Sequence, residues 1–185
     1  MKVLSVQVGR PRDVEWRGEV VNTGIFKLPV HGPVIVRYLD LDGDEQADLT
    51  VHGGRDKAVY VYPSEHYPLW RKELPELEFP FGAFGENLTV DGLLENDVGI
   101  GDLLRIGTAE FVVTQPRMPC YKLAVRFDRV DMLTRLLRSG RTGFYLRVLK
   151  EGILAEGDLI ERTRAAEGTK TIAEVALRVA RRVGG

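Results

Sequence analysis

The sequence predicts a mostly β fold: a strongly twisted, antiparallel-rich sheet curled towards a barrel, with a few peripheral helices and a C-terminal helix. Many short segments alternate apolar and polar residues, Gly or Pro separates them, and long apolar-periodic stretches suited to repeated crossover helices are scarce. Twenty glycines in 185 residues supply turns for such a chain, and a doubly wound parallel sheet needs far more helix.

Taken in order, Val3–Val8 and Val34–Tyr38 alternate as strands, and Lys57–Tyr62 is a third that stops at Pro63. Asn87–Val90, Leu103–Ile106 and Glu110–Thr114 follow as short strands between Gly-containing turns. Pro63–Leu74 reads as a short helix, with Ser64 as its cap and Pro68 near its start. A second helix is expected from Asp128 to Ser139, with Asp128 capping it, Val130, Leu133 and Leu137 sharing a face, and Gly140 ending it. The third spans about 171–182: Thr171 and Glu174 form a capping box, and Ile172, Val175, Ala176 and Val179 form an apolar stripe that needs a partner surface. The polar run Glu161–Gly168 reads as the linker before it. The expected organisation is therefore a β domain over residues 1–163 and a linker with a short helical tail over 164–185.

Composition narrows the functional classes. The formal net charge of -1 gives no reason to expect binding to nucleic acid or to an acidic membrane surface. No apolar run approaches a bilayer span and the N-terminus lacks a cleavage pattern, so the cytoplasm is the expected location. Charge is nevertheless uneven: from Arg117 to Arg147 eight Arg or Lys residues face only Asp128 and Asp131, a local net charge of +6 suited to an anionic ligand or to a solvated basic face.

Cys120 is the only cysteine and lies within Gln115-Pro116-Arg117-Met118-Pro119-Cys120-Tyr121-Lys122. Two prolines stiffen its approach and two cations flank it. Cationic neighbours favour a thiolate, the form that attacks electrophiles or ligates soft metals, whereas the bland alternative is a small buried hydrophobe. A second loop, Val51-His52-Gly53-Gly54-Arg55-Asp56-Lys57, combines paired glycines that admit close backbone approach with a cation at Lys57, although an ordinary tight turn has the same spelling. It lacks the ending of a Walker phosphate loop, and His52 is too isolated from His31 and His66 to define a metal site by spacing. In the third loop, Gly82–Val90, Asn87 can offer amide donors and an acceptor to a heterocycle and Glu86 can orient a donor or move a proton; either can equally tie down a bend.

Together the three loops, with the closing Gly157-Asp158, resemble the MOSC family, named for the molybdenum cofactor sulfurase C-terminal domain, in its bacterial stand-alone YiiM-like branch. The likeness covers residues 1–163. It implies a β-barrel-like fold holding a pterin-bound molybdenum centre, the molybdenum cofactor, with Cys120 as the metal ligand. Carried over position by position, it implies Arg117 and Lys122 as charge contacts to the cofactor, His52, Gly53, Gly54 and Lys57 as a second cofactor loop, and Glu86 and Asn87 as a third, with Cys120, Glu86 and His52 taking part in catalysis. Arg55 stands where many relatives have proline, and the branch usually has a longer, three-helix C-terminal extension.

The activity that the resemblance implies is reduction of small N-hydroxylated compounds, such as hydroxylaminopurine-type bases, to amines. A single cysteine and the lack of a dinucleotide-binding fingerprint further imply a separate flavin or iron–sulfur reductase as electron donor. Two other readings stay open on the sequence: a cysteine-persulfide carrier or transferase for metal–sulfur assembly, and a noncatalytic molybdopterin-binding module. A homodimer is equally open.

Overall fold

The computed structural model describes residues 1–45 and 53–183. The strands are β1 (Lys2–Val8), β2 (Arg12–Trp16), β3 (Glu19–Thr23), β4 (Leu28–Pro29), β5 (Val34–Val36), β6 (Val59–Pro63), β7 (Leu88–Asp91), β8 (Leu103–Ile106), β9 (Ala109–Pro116), β10 (Phe144–Lys150), β11 (Gly152–Leu154) and β12 (Ile160–Thr163). The helices are α1 (His66–Glu73), α2 (Tyr121–Phe127), α3 (Asp131–Ser139) and α4 (Ile172–Val183), and a 3-10 turn occupies Arg55–Lys57.

Eight strands form one mixed sheet in the order β12-β8-β9-β10-β6-β7-β1-β4. Its pairs are antiparallel except β6 with β7, whose parallel pairing requires a crossover, and α1 lies on it. The sheet curls into a half-barrel. Its curl brings β1 back to the approach to β12, where Val3 N–H donates to Asp158 O at 2.9 Å and Ile160 N–H to Met1 O at 3.0 Å.

β6 explains why this curled sheet has two cores. All five of its residues are buried, and successive side chains point to opposite faces. Val59 and Val61 join an aliphatic cluster with Val3, Val6, Leu88, Phe111 and Leu146. Tyr60 and Tyr62 join an aromatic cluster with Tyr67 and Trp70 of α1, Phe84, and Phe127 of α2. There Tyr62 stacks on Phe84 with centroids 4.4 Å apart, and Trp70 Nε1 donates to the Tyr62 hydroxyl at 2.7 Å.

Several expected elements change on folding. α2 was not expected, and Asp128 closes it instead of opening the next helix: the residue is left-handed, with φ +51°, and its carboxylate accepts Trp16 Nε1 at 2.9 Å. α3 consequently starts at Asp131 and buries Met132 and Leu136, while Val130 is 55% exposed. Met132/Leu136 and Leu133/Leu137 are adjacent rows on one helix, so packing decides which goes inside. Gly140 does end α3, at φ +70°. The β2–β3 hairpin and β10 were also unanticipated, and Glu161–Thr163 pairs with β8 instead of serving as linker.

Beyond β12 the chain stays attached to the sheet. Ala165 N–H donates to Asp102 Oδ1 at 2.8 Å and Ile100 N–H to Lys170 O at 2.9 Å. The capping box of α4 is reciprocal: Thr171 N–H to Glu174 Oε2 at 2.9 Å, and Glu174 N–H to Thr171 Oγ1 at 3.2 Å. Ile172 is fully buried in the aliphatic cluster, which supplies the surface that so short a helix requires. Among the described residues, no helix is long and apolar enough to cross a membrane.

Candidate functional site

β9 ends at Pro116 opposite Phe144, where β10 begins, and Phe144 is also opposite Val61 of β6. The segment Arg117–Cys120 therefore leaves the sheet beside Tyr60 and Tyr145, which project from neighbouring strands on the aromatic side; their rings lie 5.4 Å apart. A cavity of ≈ 100 Å³ opens at this corner. Lys57, Asn87, Arg117, Cys120 and Lys122, five of the residues singled out in the sequence, line it together. Ile25, Phe84, Tyr60 and Tyr145 add apolar and aromatic wall, and Lys27 and Asp44 add a second charged corner.

Arg117 is the least satisfied of these groups. It is only 6% exposed, its guanidinium carbon lies 5.4 Å from the Tyr60 ring centroid, and among the described residues its Nη1 has no hydrogen-bond partner. Burial works against its charge, but the neighbouring Tyr60, Tyr145 and Cys120 groups outweigh that and raise its pKa, so the guanidinium stays charged. Burial likewise raises the pKa of Tyr60 and of Tyr145, against the opposing pull of Arg117. Cys120 is half-buried and free, placed just before α2 with extended backbone; its carbonyl accepts the Leu123 N–H at 2.9 Å.

Lys27 and Asp44 form a buried ion pair whose side chains are 9% and 2% exposed. Asp44 Oδ1 also accepts Gly9 N–H at 2.9 Å, and its Oδ2 accepts Asn87 Nδ2 at 2.8 Å. Burial lowers the Lys27 pKa, with Asp44 opposing the shift. These two residues were missed in the sequence. A lone cation inside the apolar run Ile25-Phe26-Lys27-Leu28-Pro29 was the available signal, whereas Asp44 was hidden in an acidic stretch that reads as solvated surface.

The loop carrying Glu86 and Asn87 has a different character. Glu86 is fully buried and outside the cavity lining. Its carboxyl accepts Gly82 N–H at 2.8 Å, Phe84 N–H at 3.1 Å, the Thr89 hydroxyl at 2.9 Å and the Tyr67 hydroxyl. It braces the loop and faces no ligand space. Asn87 lines the cavity, yet its Oδ1 accepts Tyr60 N–H at 3.0 Å and its Nδ2 serves Asp44 and the Gln7 carbonyl, so its amide anchors strands and is not left open to a heterocycle. Just before them Gly85 sits at φ +81°, and a Cβ there would come within 2.7 Å of Ile25 Cγ1; glycine lets the loop press Ile25 into the cavity wall.

In the second loop, Gly54 takes φ +92° before the 3-10 turn that ends at Lys57, and Gly53 and Gly54 are not among the cavity-lining residues. The expectation for His52 lies outside the described residues. No group of three or more His, Cys, Asp or Glu among the described residues is placed to hold a metal. Cys120 is thus a single soft donor beside Arg117, Lys57 and Lys122. A thiol, several cations and an orphaned buried guanidinium nitrogen fit an anionic group that carries its own soft metal, as the molybdenum cofactor does.

The comparisons with known proteins agree with this architecture. The chain is 47% identical to YflK of Bacillus subtilis over 159 residues, covering 86% of this chain and 72% of YflK. The crystal structure of YiiM from Geobacillus stearothermophilus superposes with a TM-score of 0.80 at 34% identity, covering all of this chain and 86% of that one. A protein of Gibberella moniliformis named as a reductase is 38% identical over 161 residues, which is 85% of this chain and 28% of the fungal protein. Residues 48–161 match the MOSC domain itself, and the chain belongs to the MOSC domain family, related to the bacterial YiiM and YflK proteins and linked broadly to molybdenum cofactor biology.

Proposed function

We propose that the protein is a molybdenum-cofactor-dependent reductase that converts small N-hydroxylated compounds, of the hydroxylaminopurine type, to amines. The observation that carries this reading is that Cys120 and the buried, charged Arg117 line one cavity together with Lys57 and Lys122. The name of the fungal relative, a reductase, supports the reaction class. When bound, the cofactor supplies a two-electron centre able to accept oxygen.

Cys120 holds the metal through its sulfur. Arg117, Lys57 and Lys122 hold the anionic part of the cofactor. Phe84, Tyr60 and Tyr145 give a planar substrate an aromatic wall to lie against. Glu86 fixes the loop that carries Phe84. Electrons come from a separate flavin or iron–sulfur reductase, and the cytoplasm is the proposed location.

The test is molybdenum-edge spectroscopy on protein from cells that make the cofactor, paired with reduction of a hydroxylaminopurine. Wild type should show a protein sulfur ligand, and Cys120→Ser should lose that ligand and the activity while changing folding stability by less than about 1 kcal/mol. A spectrum unchanged by Cys120→Ser overturns the ligand assignment. A sulfur-ligated molybdenum protein that reduces no N-hydroxylated base, with chemical or enzymatic donors, overturns the activity.

A further inference from the structure

The reduction R–NHOH + 2 e⁻ + 2 H⁺ → R–NH₂ + H₂O breaks one N–O bond and forms one N–H and one O–H bond. The two electrons come from the flavin or iron–sulfur donor, but the protons must reach the substrate inside the cavity. Few lining groups can provide one. Arg117 is a guanidinium and does not release its proton. The Tyr60 hydroxyl is engaged, donating to Thr142 O at 2.8 Å. Asp44 accepts from Lys27, Asn87 and Gly9, and Glu86 lies outside the lining.

Lys27 differs from all of these. Its ammonium has three N–H donors, and among the described residues its hydrogen-bond partner is Asp44. Asp44 is itself held by Gly9 N–H and Asn87 Nδ2, which fixes where the ammonium sits. We infer that Lys27, positioned by Asp44, is the general acid of the cavity, giving its proton to the oxygen that leaves the substrate nitrogen and regaining it from water through the cavity mouth, while water supplies the second proton, to nitrogen.

This inference rests on the reductase reading and adds a residue that the three sequence loops do not contain. The electrostatics suit the role. Burial lowers the Lys27 pKa and makes the proton easier to give up, against the opposing pull of Asp44, Glu86 and Asp40. Across the cavity the charged groups are Glu45, Lys57, Arg117 and Lys122, with the Tyr145 hydroxyl and the Cys120 thiol.

Four measurements test the role together. In cofactor-free protein, the Lys27 side-chain nitrogen followed by NMR should titrate below the exposed lysines, and Asp44→Asn should move it lower still. In cofactor-loaded protein, Lys27→Arg should retain molybdenum and pterin, leave KM within a few-fold and lower kcat by roughly 10²- to 10⁴-fold. Lys27→Ala, checked for folding by denaturation, should regain kcat on addition of methylammonium, and the alkaline limb of the wild-type kcat profile should move down in Asp44→Asn.

Lys27→Arg with wild-type kcat, or a Lys27 nitrogen that titrates with the exposed lysines, overturns the assignment while leaving the reductase reading in place. Sulfur-ligated wild type that reduces no N-hydroxylated substrate overturns both.

Discussion

The loop Gly82–Val90 and the loop Arg117–Lys122 border the same cavity, both carry polar residues singled out in the sequence, and fold to opposite states of satisfaction. In the first, Glu86 accepts from two backbone amides and two hydroxyls, and every amide atom of Asn87 is engaged. In the second, a guanidinium nitrogen is buried without a partner and the thiol beside it is half-exposed and free. A buried polar group left unpaired costs folding free energy, so a group kept that way is the better marker of a ligand site than one that is merely buried and charged.

The largest expected effect comes from breaking the satisfied loop. Glu86→Ala leaves four donors in the interior without their acceptor and should cost about 3–5 kcal/mol in urea unfolding, with the slope of the transition unchanged. Wild-type stability with lost turnover would instead move Glu86 from loop brace to chemistry.

The opposite loop should respond in the opposite way. Arg117→Met removes a buried charge with an open donor, so the cofactor-free protein should unfold within about 1 kcal/mol of wild type or become more stable. Molybdenum and pterin content per chain should fall sharply. A loss of several kcal/mol with undiminished cofactor content would make Arg117 structural and erase the contrast.

The smallest effect is expected where an acid with several arginine contacts lies in water. Asp131 accepts from Arg129 Nε at 3.0 Å and Arg135 Nε at 2.6 Å, and these bonds lower its pKa to about 2. Its folded pKa is below its unfolded one, so the stabilisation is complete above the ordinary carboxylate range and disappears as pH falls through about 2. The side chain is 41% exposed, so Asp131→Asn should cost less than about 1 kcal/mol at pH 7, reduced further by salt. Equal costs for Asp131→Asn and Glu86→Ala would show that burial is not what separates these carboxyl groups.

Much of the architecture was legible locally. The alternation of Val3–Val8, the stop at Pro63, the capping box at Thr171 and Glu174 and the left-handed Gly140 each depend on neighbours within a few residues, and each is present in the fold. α2 was not legible because Tyr121–Phe127 is short and its Cys-Tyr-Lys start resembles the loop before it. β10 was not legible because its pairing with β9 and β6 is long-range, and Phe144–Lys150 follows a basic stretch that reads as surface.

For the site, the sequence by itself determined the chemical inventory: one soft sulfur between prolines and cations, a cation in the Gly-rich loop, and an amide-bearing third loop. Those residue types and their order follow from the chain alone and were enough to indicate the family. Only the tertiary structure decided which of them face the cavity. It placed Lys57, Arg117, Cys120 and Lys122 around one cavity, spent the polar groups of Glu86 and Asn87 on the loop and strands, and brought in Lys27 and Asp44. The physical reason is that hydrogen-bond saturation belongs to pairs of groups distant in the chain. Asn87 meets Asp44, Tyr60 and Gln7, and Lys27 meets Asp44, only once β1, β6 and β7 are paired, so no local pattern could say which polar atoms the folded protein would leave open.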